Sequence, residues 1–317
     1  MTNKEHYSQW ARTQLSLPIF MQSEWMEVVC AGKAWDVLLV RNDEEIVAAL
    51  PYLDRKKMWM RFVLMPQLTQ IGGIWLDERR EWSTSEIDEV CDAIRQQLAD
   101  LKLCYYYQHY PINSPCPNKL ESMGFKVYKR VTYRIYELQD LDKVIDCFSK
   151  NKKRQLQKAL SLHAERGWTG EEFYCYLQAC FAQRKKKTRY SREFLLVLEQ
   201  KMRKMGQAEI LTIRNADNEV YAAALLVWDK QRLYYLAPVF SPDKQESGAS
   251  SLLVLEAIKI AREKGLIFDF EGSMIKGVAN HYKQFGSTAT TYCGVEKYYH
   301  WWFRMPVWFN KLRNIRF

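Results

Sequence analysis

The chain repeats one stretch of its own sequence at a spacing of about 174 residues. Residues 41–54 (RNDEEIVAALPYLD) match residues 214–229 (RNADNEVYAAALLVWD). In each copy, Asn and Asp residues that favour a turn separate two apolar runs with the composition of β-strands. A repeat at this long spacing indicates duplicated domains and not a solenoid of short units. The repeat therefore predicts two domains of related fold.

The predicted elements occur in a similar order in both halves. The first half is predicted to contain helices at 20–29 and 83–101 and strands at 35–41, 45–53, 58–65, 103–107 and 126–136. The second half is predicted to contain helices at 140–149, 152–166, 171–184, 191–205 and 248–264 and strands at 208–214, 220–227, 232–238 and 266–270. Ser83 and Glu86 predict a capping box. We therefore expect an α+β fold with domains at 1–136 and 137–317.

The positive charge of the chain is concentrated in one segment. Residues 150–204 contain 15 Lys or Arg and 5 Asp or Glu, which accounts for the whole net charge of +10. The segment is either a set of solvated helix faces or a field that attracts an anionic substrate or polyanion. In the second case, the candidate residues are Lys152, Lys153, Arg154, Arg189 and Tyr190.

Several classes of protein are excluded by the sequence. No window approaches 18 consecutive apolar residues, so no transmembrane segment is expected, and the N-terminus does not have the pattern of a signal peptide. The eight Cys and five His residues show no metal-ligand spacing. We therefore expect a cytoplasmic protein with reduced thiols and no metal. The absence of a Gly-x-Ser-x-Gly motif gives no support to a covalent serine mechanism.

A candidate anion site lies where the strand ending at Pro238 leads into the helix that starts near Gly248. The first-turn N–H groups of a helix have no internal partners and favour phosphate. This pattern predicts donor contacts by Gln245, Ser247, Gly248, Ala249, Ser250 and Ser251. Alternatively, Ser247 or Ser250 only caps the helix. A bulky residue at position 248 is expected to abolish donor binding and leave the fold intact.

The pattern Gln245-x-x-Gly248-x-Ser250 is similar to the pyrophosphate motif of the GNAT fold of N-acetyltransferases. The segments 149–159, 248–258 and 268–286 resemble the Fem family, whose members carry two tandem GNAT-like domains. This resemblance implies a mixed, mostly antiparallel sheet flanked by helices in each domain, and acyl-CoA or aminoacyl-tRNA as the donor. The coiled-coil arm of some Fem enzymes is absent. The first half lacks the phosphate motif, which implies a degenerate donor site there.

Candidate catalytic residues follow the last predicted strand. Asp269 and Glu271 alternate along that strand and are expected on one face, where a carboxylate could accept the proton of an attacking amine. An ion pair or a turn cap is the alternative. The resemblance to the Fem family implies that Lys283, after Tyr282, lies near the donor and stabilises developing charge. An exposed helix lysine is the alternative for Lys283. Tyr282 or Tyr190 could act as the general acid.

The sequence as a whole predicts an N-acyltransferase that transfers an acyl group from acyl-CoA, such as acetyl-CoA, to a small-molecule or peptide amine. One alternative is a Fem-type aminoacyltransferase that uses aminoacyl-tRNA and a peptidoglycan precursor. A second alternative is a non-catalytic protein that binds nucleic acid or a membrane surface. The aromatic and basic residues of 298–317 predict either a peripheral membrane contact or packing against the protein.

Overall fold

The computed structural model of the chain describes residues 2–30, 35–272 and 274–300. The chain divides into two compact units. Unit 1 runs from Met1 to Arg130 and resumes at Thr291, and unit 2 is Val131–Thr290. The domain bounds expected from the sequence, 1–136 and 137–317, do not include this return of the chain to unit 1. The C-terminal tail beyond residue 300 and Ser273 lie outside the described residues.

Unit 1 contains a sheet with helices packed against it. Its elements are α1 (Asn3–Thr13), α2 (Ser23–Val29), β1 (Trp35–Asn42), β2 (Glu45–Lys57), β3 (Met60–Leu64), β4 (Trp75–Leu76), α3 (Thr84–Asp100), β5 (Tyr105–Tyr110) and α4 (Cys116–Ser122), with parts of β6 (Lys126–Ile135) and β12 (Thr288–Tyr298). Within the unit the strand order is β1-β2-β3-β5-β12, and β4 pairs with β2. The predicted capping box of Ser83 and Glu86 is present at the start of α3.

Unit 2 contains its own set of strands with helices packed against them, and it carries the candidate site. Its elements are α5 (Leu141–Asp146), α6 (Lys150–Lys158), β7 (His163–Arg166), α7 (Gly170–Gln183), α8 (Arg192–Lys204), β8 (Ala208–Arg214), β9 (Val220–Trp228), β10 (Arg232–Phe240), α9 (Ala249–Glu263), β11 (Ile267–Asp269) and α10 (Lys276–Lys283). The strand order is β6-β11-β10-β9-β8-β7. Among the strand pairs described in unit 2, β10 and β11 alone are parallel, because α9 connects them as a crossover helix.

The repeated sequence forms the same kind of hairpin in both units. In β1–β2 the register shifts between Val40 and Arg41, and in β8–β9 it shifts between Ile213 and Arg214. Each turn contains one residue with a left-handed backbone, Asp43 in unit 1 and Asn218 in unit 2. The α+β fold with mostly antiparallel sheets flanked by helices is confirmed.

Helix α9 is the central packing element of unit 2. Its buried face includes Leu253, Val254, Ala257 and Ile258, none of which is exposed to solvent. These residues pack with β8, β9, β10 and β11 in one apolar core. Burial of this area supplies most of the free energy that fixes the helix against the sheet. The N-terminus of α9 is thereby held at the carboxyl end of β10.

The predicted helix at 152–166 is wrong in its second half. Helix α6 ends at Lys158, and residues 163–166 form β7, which pairs with the edge of β8. All four residues of β7 are exposed, so they carry no apolar alternation that would indicate a strand. None of the helices in the described ranges has the length and hydrophobicity needed to cross a bilayer.

Candidate active site

An opening forms where the two parallel strands of unit 2 separate. β10 and β11 pair only over Arg232–Tyr234 and Ile267–Asp269. Beyond this point β11 ends, whereas β10 continues to Phe240. The pairing of β10 with β9 also shifts register between Tyr235 and Ala237. The described strands therefore leave one edge of β10 unpaired at its carboxyl end, beside the N-terminus of α9.

A cavity of about 490 Å³ occupies this opening. Its walls come from β10, the start of α9 and one face of α10, and Tyr235, Pro238, Val278 and Tyr282 supply much of the apolar surface. The volume lies within the range of small-molecule and cofactor sites. Apolar walls next to a helix N-terminus suit a ligand with a hydrophobic arm and an anionic group.

Two cationic side chains also line the cavity. Arg184 is exposed and donates from Nη2 to the Phe240 carbonyl over 2.7 Å. Lys244 forms an ion pair with Glu219 over 3.0 Å and lies 4.8 Å from the centre of the Tyr221 ring. Arg184 has no carboxylate partner among the described residues, so its charge is available to an anion. Nothing in the sequence distinguishes Arg184 from the other residues of its basic cluster.

The start of α9 is shaped by close packing against α6. Gly248 has a φ of +81°, and a Cβ at this position would lie 2.0 Å from the Gln155 carbonyl oxygen. The expectation that a bulky residue at 248 leaves the fold intact is therefore wrong, because the backbone of α6 occupies the space. The glycine is required by helix packing as well as by its left-handed conformation.

The predicted donor-binding residues divide into two groups. Gln245, Ala249 and Ser250 line the cavity. Ser247 instead donates to the Lys244 carbonyl over 2.6 Å and accepts a hydrogen bond from the Ala249 N–H over 3.2 Å, as in the capping alternative. Ser251 is fully buried and its hydroxyl donates to Gln155 Oε1. Ser247 and Ser251 therefore hold α9 in place, whereas Gln245, Ala249 and Ser250 face the cavity.

Glu271 has the environment of a proton acceptor. Its φ of +61° turns the chain away from the strand direction. The Oε1 atom is buried and has no hydrogen-bond partner among the residues that the structure describes. Burial, and then the nearby charge of Asp269, raises the pKa of Glu271 well above its ordinary value. A carboxylate held in this way binds a proton more readily than one in water.

Asp269 has a structural environment. It is fully buried, and its carboxylate accepts hydrogen bonds from Arg134 Nε and Thr132 Oγ1, each over 2.6 Å. It also accepts the Glu271 backbone N–H over 2.8 Å. β11 ends at Asp269, so the expected strand alternation that places Asp269 and Glu271 on one face does not occur. The ion-pair alternative describes the geometry of Asp269, because Arg134 connects it to β6.

Tyr282 and Lys283 lie on different faces of α10. The Tyr282 ring stacks on Phe270 with centroids 4.4 Å apart and lines the cavity. Burial and then the charge of Glu271 raise the pKa of Tyr282 to about 12. Lys283 is exposed and lines a separate cavity of about 270 Å³, with its Nζ 6.0 Å from the centre of the Tyr133 ring. The structure therefore does not bring Lys283 together with Ser250.

Lys152 lies inside the protein, whereas the sequence suggested a surface residue. Its Nζ donates to Gln155 Oε1 over 3.0 Å and to Ser251 Oγ over 3.4 Å, and lies 3.1 Å from His281 Nδ1. Burial lowers the pKa of Lys152 to about 8. Burial, followed by the charge of Lys152, lowers the pKa of His281 to about 4. His281 lines the cavity, and a charged Lys152 makes Nδ1 its acceptor and places the ring proton on Nε2.

The other predicted anion-attracting residues lie outside the cavity. Lys153 pairs with Asp146 over 3.1 Å, and Arg154 donates to Asn151 Oδ1 over 3.2 Å. Arg189 is exposed. Tyr190 is half-buried beside Phe194, with ring centroids 6.2 Å apart, and the charge of Glu271 contributes to raising its pKa after burial. Within the described ranges there is no group of three or more His, Cys, Asp or Glu side chains arranged for a metal ion.

Comparison with known families agrees with this arrangement. The sequence profile described as "Acetyltransferase (GNAT) domain" matches residues 124–284, which is more than half of the chain and includes the cavity. The chain belongs to the GNAT acetyltransferase family. Membership in this family supports an acyltransferase, and the resemblance to Fem-like and tandem GNAT proteins is confirmed. No curated protein matches the sequence.

Solved structures of low sequence identity share the fold of this GNAT chain. FemX is 14% identical with a TM-score of 0.70, and the alignment covers 92% of this chain and 96% of FemX. A tandem GNAT protein from the clavulanic acid biosynthesis pathway is 11% identical with a TM-score of 0.54, covering 93% and 94%. L-PGS from Bacillus licheniformis is 14% identical with a TM-score of 0.52, covering 92% and 90%.

Proposed function

We propose that this GNAT protein transfers an acyl group from acyl-CoA to a primary amine in the cavity of unit 2. The observation that carries the proposal is the opening of the α9 N-terminus onto an apolar cavity at the separated ends of β10 and β11. Helix N-termini bind phosphate through unpaired N–H groups and the helix dipole. Acyl-CoA combines such phosphates with a long, mostly apolar arm.

The donor is held by three kinds of contact in this proposal. The first turn of α9 binds the diphosphate at Ser250, because the Ala249 N–H already donates to Ser247 Oγ, and Arg184 adds positive charge at the same cavity. The apolar wall that includes Pro238 accommodates the pantetheine arm. The unpaired edge of β10 supplies backbone groups for the amides of that arm, because β11 ends before this point.

The chemical step needs no covalent enzyme intermediate. The neutral amine attacks the thioester carbonyl, a C–N bond forms, and the C–S bond breaks to release the CoA thiolate. Glu271 accepts the proton that the amine loses. Tyr282, which lines the cavity, donates a proton to the thiolate and is then reprotonated from water. The raised pKa of Glu271 makes its ionised carboxylate a stronger base than a solvent-exposed glutamate.

The Fem-type reaction is the second candidate function. The similarity to FemX over nearly the full length of both chains favours it, as does the basic segment at 150–204. In this version, aminoacyl-tRNA replaces acyl-CoA and a cell-wall precursor is the amine. A third version, in which the scaffold binds nucleic acid or a membrane without catalysis, predicts no turnover.

The described cysteines are all free thiols, in keeping with a reducing compartment such as the cytoplasm.

The experiment that tests the proposal is product detection with defined donors. Wild-type protein and Glu271→Gln are incubated with acetyl-CoA and a panel of amines, and both thiol release and the mass of the acylated amine are measured. We expect amine-dependent thiol release by wild type and its loss in the variant. Transfer from charged tRNA without any from acetyl-CoA would replace the proposal by the Fem-type reaction. No transfer from either donor would favour the non-catalytic version.

A further inference from the structure

A pair of large apolar residues occupies the tip of a hairpin in unit 1. Met58 and Trp59 form the two-residue turn between β2 and β3, after the closing pair of Lys57 and Met60. Their side chains are 84% and 68% exposed. We call residues 55–61 the β2–β3 tip. Exposed apolar residues of this size, side by side at the end of a hairpin, are typical of a contact surface.

The turn itself does not explain these residues. Met58 has a φ of +54°, in the left-handed region that glycine or asparagine adopts most easily. Two-residue hairpin turns normally use Gly, Asn or Asp for this reason. Methionine is one of the less suitable choices for the backbone at position 58. Its presence there therefore points to a requirement outside the folding of the hairpin.

Positive charge surrounds the apolar tip. Arg55, Lys56 and Lys57 precede the turn and Arg61 follows it. Asp54 neutralises part of this charge, because it pairs with Arg61 over 2.8 Å and with Lys56 over 3.6 Å. Among the described residues, neither Arg55 nor Lys57 forms an ion pair, and both are exposed. The tip therefore combines an aromatic and an aliphatic side chain with unpaired cations.

The last described residues of unit 1 lie close to this tip. The Arg61 carbonyl accepts a hydrogen bond from the Cys104 N–H over 2.8 Å, and the Cys104 carbonyl accepts one from the Tyr299 N–H over 3.1 Å. Tyr299 thus lies at the same end of the unit 1 strands as the tip.

We propose that the β2–β3 tip docks this protein onto the surface of a bilayer that contains anionic lipids. Tryptophan favours the interface between water and the acyl chains, and the methionine side chain can insert below it. Lysine and arginine are attracted to anionic headgroups. This chemistry matches the tip in charge and in polarity. An RNA surface would satisfy the cations but would leave the exposed methionine without an apolar environment.

The test measures binding of the full-length chain to sedimented vesicles. Vesicles of phosphatidylcholine alone are compared with vesicles that also contain phosphatidylglycerol. The tip variant carries Met58→Gly and Trp59→Asn, which suits the turn, so its thermal midpoint should be unchanged or higher. We expect this variant to partition onto anionic vesicles at least tenfold more weakly than wild type. The matched control is Leu160→Asn in unit 2, where the wild-type residue is 78% exposed, and it should bind like wild type.

A second variant tests the role of charge. Replacing Arg55 and Lys57 by glutamine should reduce the preference for anionic over neutral vesicles. Equal vesicle binding by wild type and the tip variant would overturn the proposal. It would also be overturned if the tip mediated binding to a generic RNA and not to vesicles. A change of oligomeric state in the tip variant, with vesicle binding unaltered, would instead assign the tip to contact with a second copy of the chain.

Discussion

At the residue scale, the chemistry proposed for this protein rests on Glu271. The sequence placed it near the end of a strand, next to Gly272, and the structure adds a left-handed backbone and a buried carboxylate oxygen. Asp269, only two residues earlier, is satisfied by Arg134 and Thr132. The two neighbouring carboxylates therefore have different environments, because Asp269 accepts hydrogen bonds whereas Glu271 Oε1 has no partner among the described residues.

Replacing Glu271 by glutamine tests its role as a base. We expect kcat to fall by about 10²- to 10⁴-fold, the usual contribution of a positioned general base. The wild-type pH–rate profile should rise through a pKa above the ordinary Glu value of 4.5. The residual activity of the variant should lack this rise. A variant with a wild-type rate and profile would remove Glu271 from the mechanism.

The same substitution should change stability in a pH-dependent way. Because burial raises the pKa of folded Glu271, the folded protein holds a proton that the unfolded chain has already released above pH 4.5. Wild type therefore loses stability as pH rises through the folded pKa, whereas Glu271→Gln does not. We expect the variant to have the higher denaturation midpoint at pH 8. The two midpoints should converge at pH 4.

Gly248→Ala tests the packing of α9 against α6. A Cβ at position 248 would meet the Gln155 carbonyl oxygen at 2.0 Å, in addition to the strain of the left-handed backbone. We expect the free energy of unfolding to fall by at least about 2 kcal/mol, from strain and overpacking together. The control is Gly265→Ala, which has a similar φ of +68° but open space around the Cβ position. An equal decrease in the free energy of unfolding in the two variants would show that the contact between the added Cβ and α6 does not destabilise the protein.

At the element scale, α6, α9 and α10 are connected through the ammonium group of Lys152. The group donates to Gln155 within α6 and to Ser251 of α9, and lies 3.1 Å from His281 Nδ1 of α10. No carboxylate faces it among the described residues. The apolar ring of Phe285 lies 4.8 Å from Nζ. The cluster therefore holds a positive charge in a site where burial disfavours it.

Lys152→Met should reveal this charge through the pH dependence of unfolding. The pKa of Lys152 is lowered from 10.5 to about 8 in the folded state. Between these values the unfolded chain binds a proton that the folded protein lacks, so wild-type stability rises with pH. We expect wild type to gain stability relative to Lys152→Met between pH 8 and pH 10. A constant difference across this range would mean that Lys152 titrates like a solvent-exposed lysine.

Elements with strong local patterns could be predicted from the sequence. The meander β8–β10 and helix α9 lie within two residues of the expected bounds, because their apolar periodicity is a local property. By contrast, β12 was not predicted, although it contains Thr, Tyr and Val; Gly294 interrupts the run, and its partner β5 lies far away in the sequence. The same reasoning applies to the site. The glycine and serine motif indicated Ser250, whereas the burial of Lys152 and the position of His281 depend on how three helices pack.

At the scale of the whole molecule, the two units differ although they share a repeated hairpin. The described cavity with the phosphate motif lies in unit 2, and the whole excess of positive charge lies at residues 150–204 of the same unit. Unit 1 instead presents the apolar β2–β3 tip. Function resides in sites and not in folds, so two units that share a repeated hairpin can still differ in their surfaces and cavities.

The basic segment of unit 2 should affect the rate at which an anionic donor associates. Lys185, Lys186 and Lys187 are exposed and follow Arg184, which lines the cavity. Replacing the three lysines by glutamine should slow the association of CoA several-fold at low ionic strength. The effect should shrink in high salt, where charges are screened. Stopped-flow measurements at two salt concentrations check this. An unchanged association rate at low salt would mean that the three lysines only keep this surface solvated.

The measurement that tests the central claim most directly is a calorimetric titration of coenzyme A into wild type, Ser250→Glu and Ser250→Gln. A carboxylate in the first turn of α9 is favourable to the helix dipole but repels phosphate. We therefore predict that Ser250→Glu binds at least tenfold more weakly than wild type, with an unchanged or higher thermal midpoint, and that Ser250→Gln binds more tightly than Ser250→Glu. Equal affinity in all three proteins, or no binding by wild type, would contradict a coenzyme A site at the start of α9.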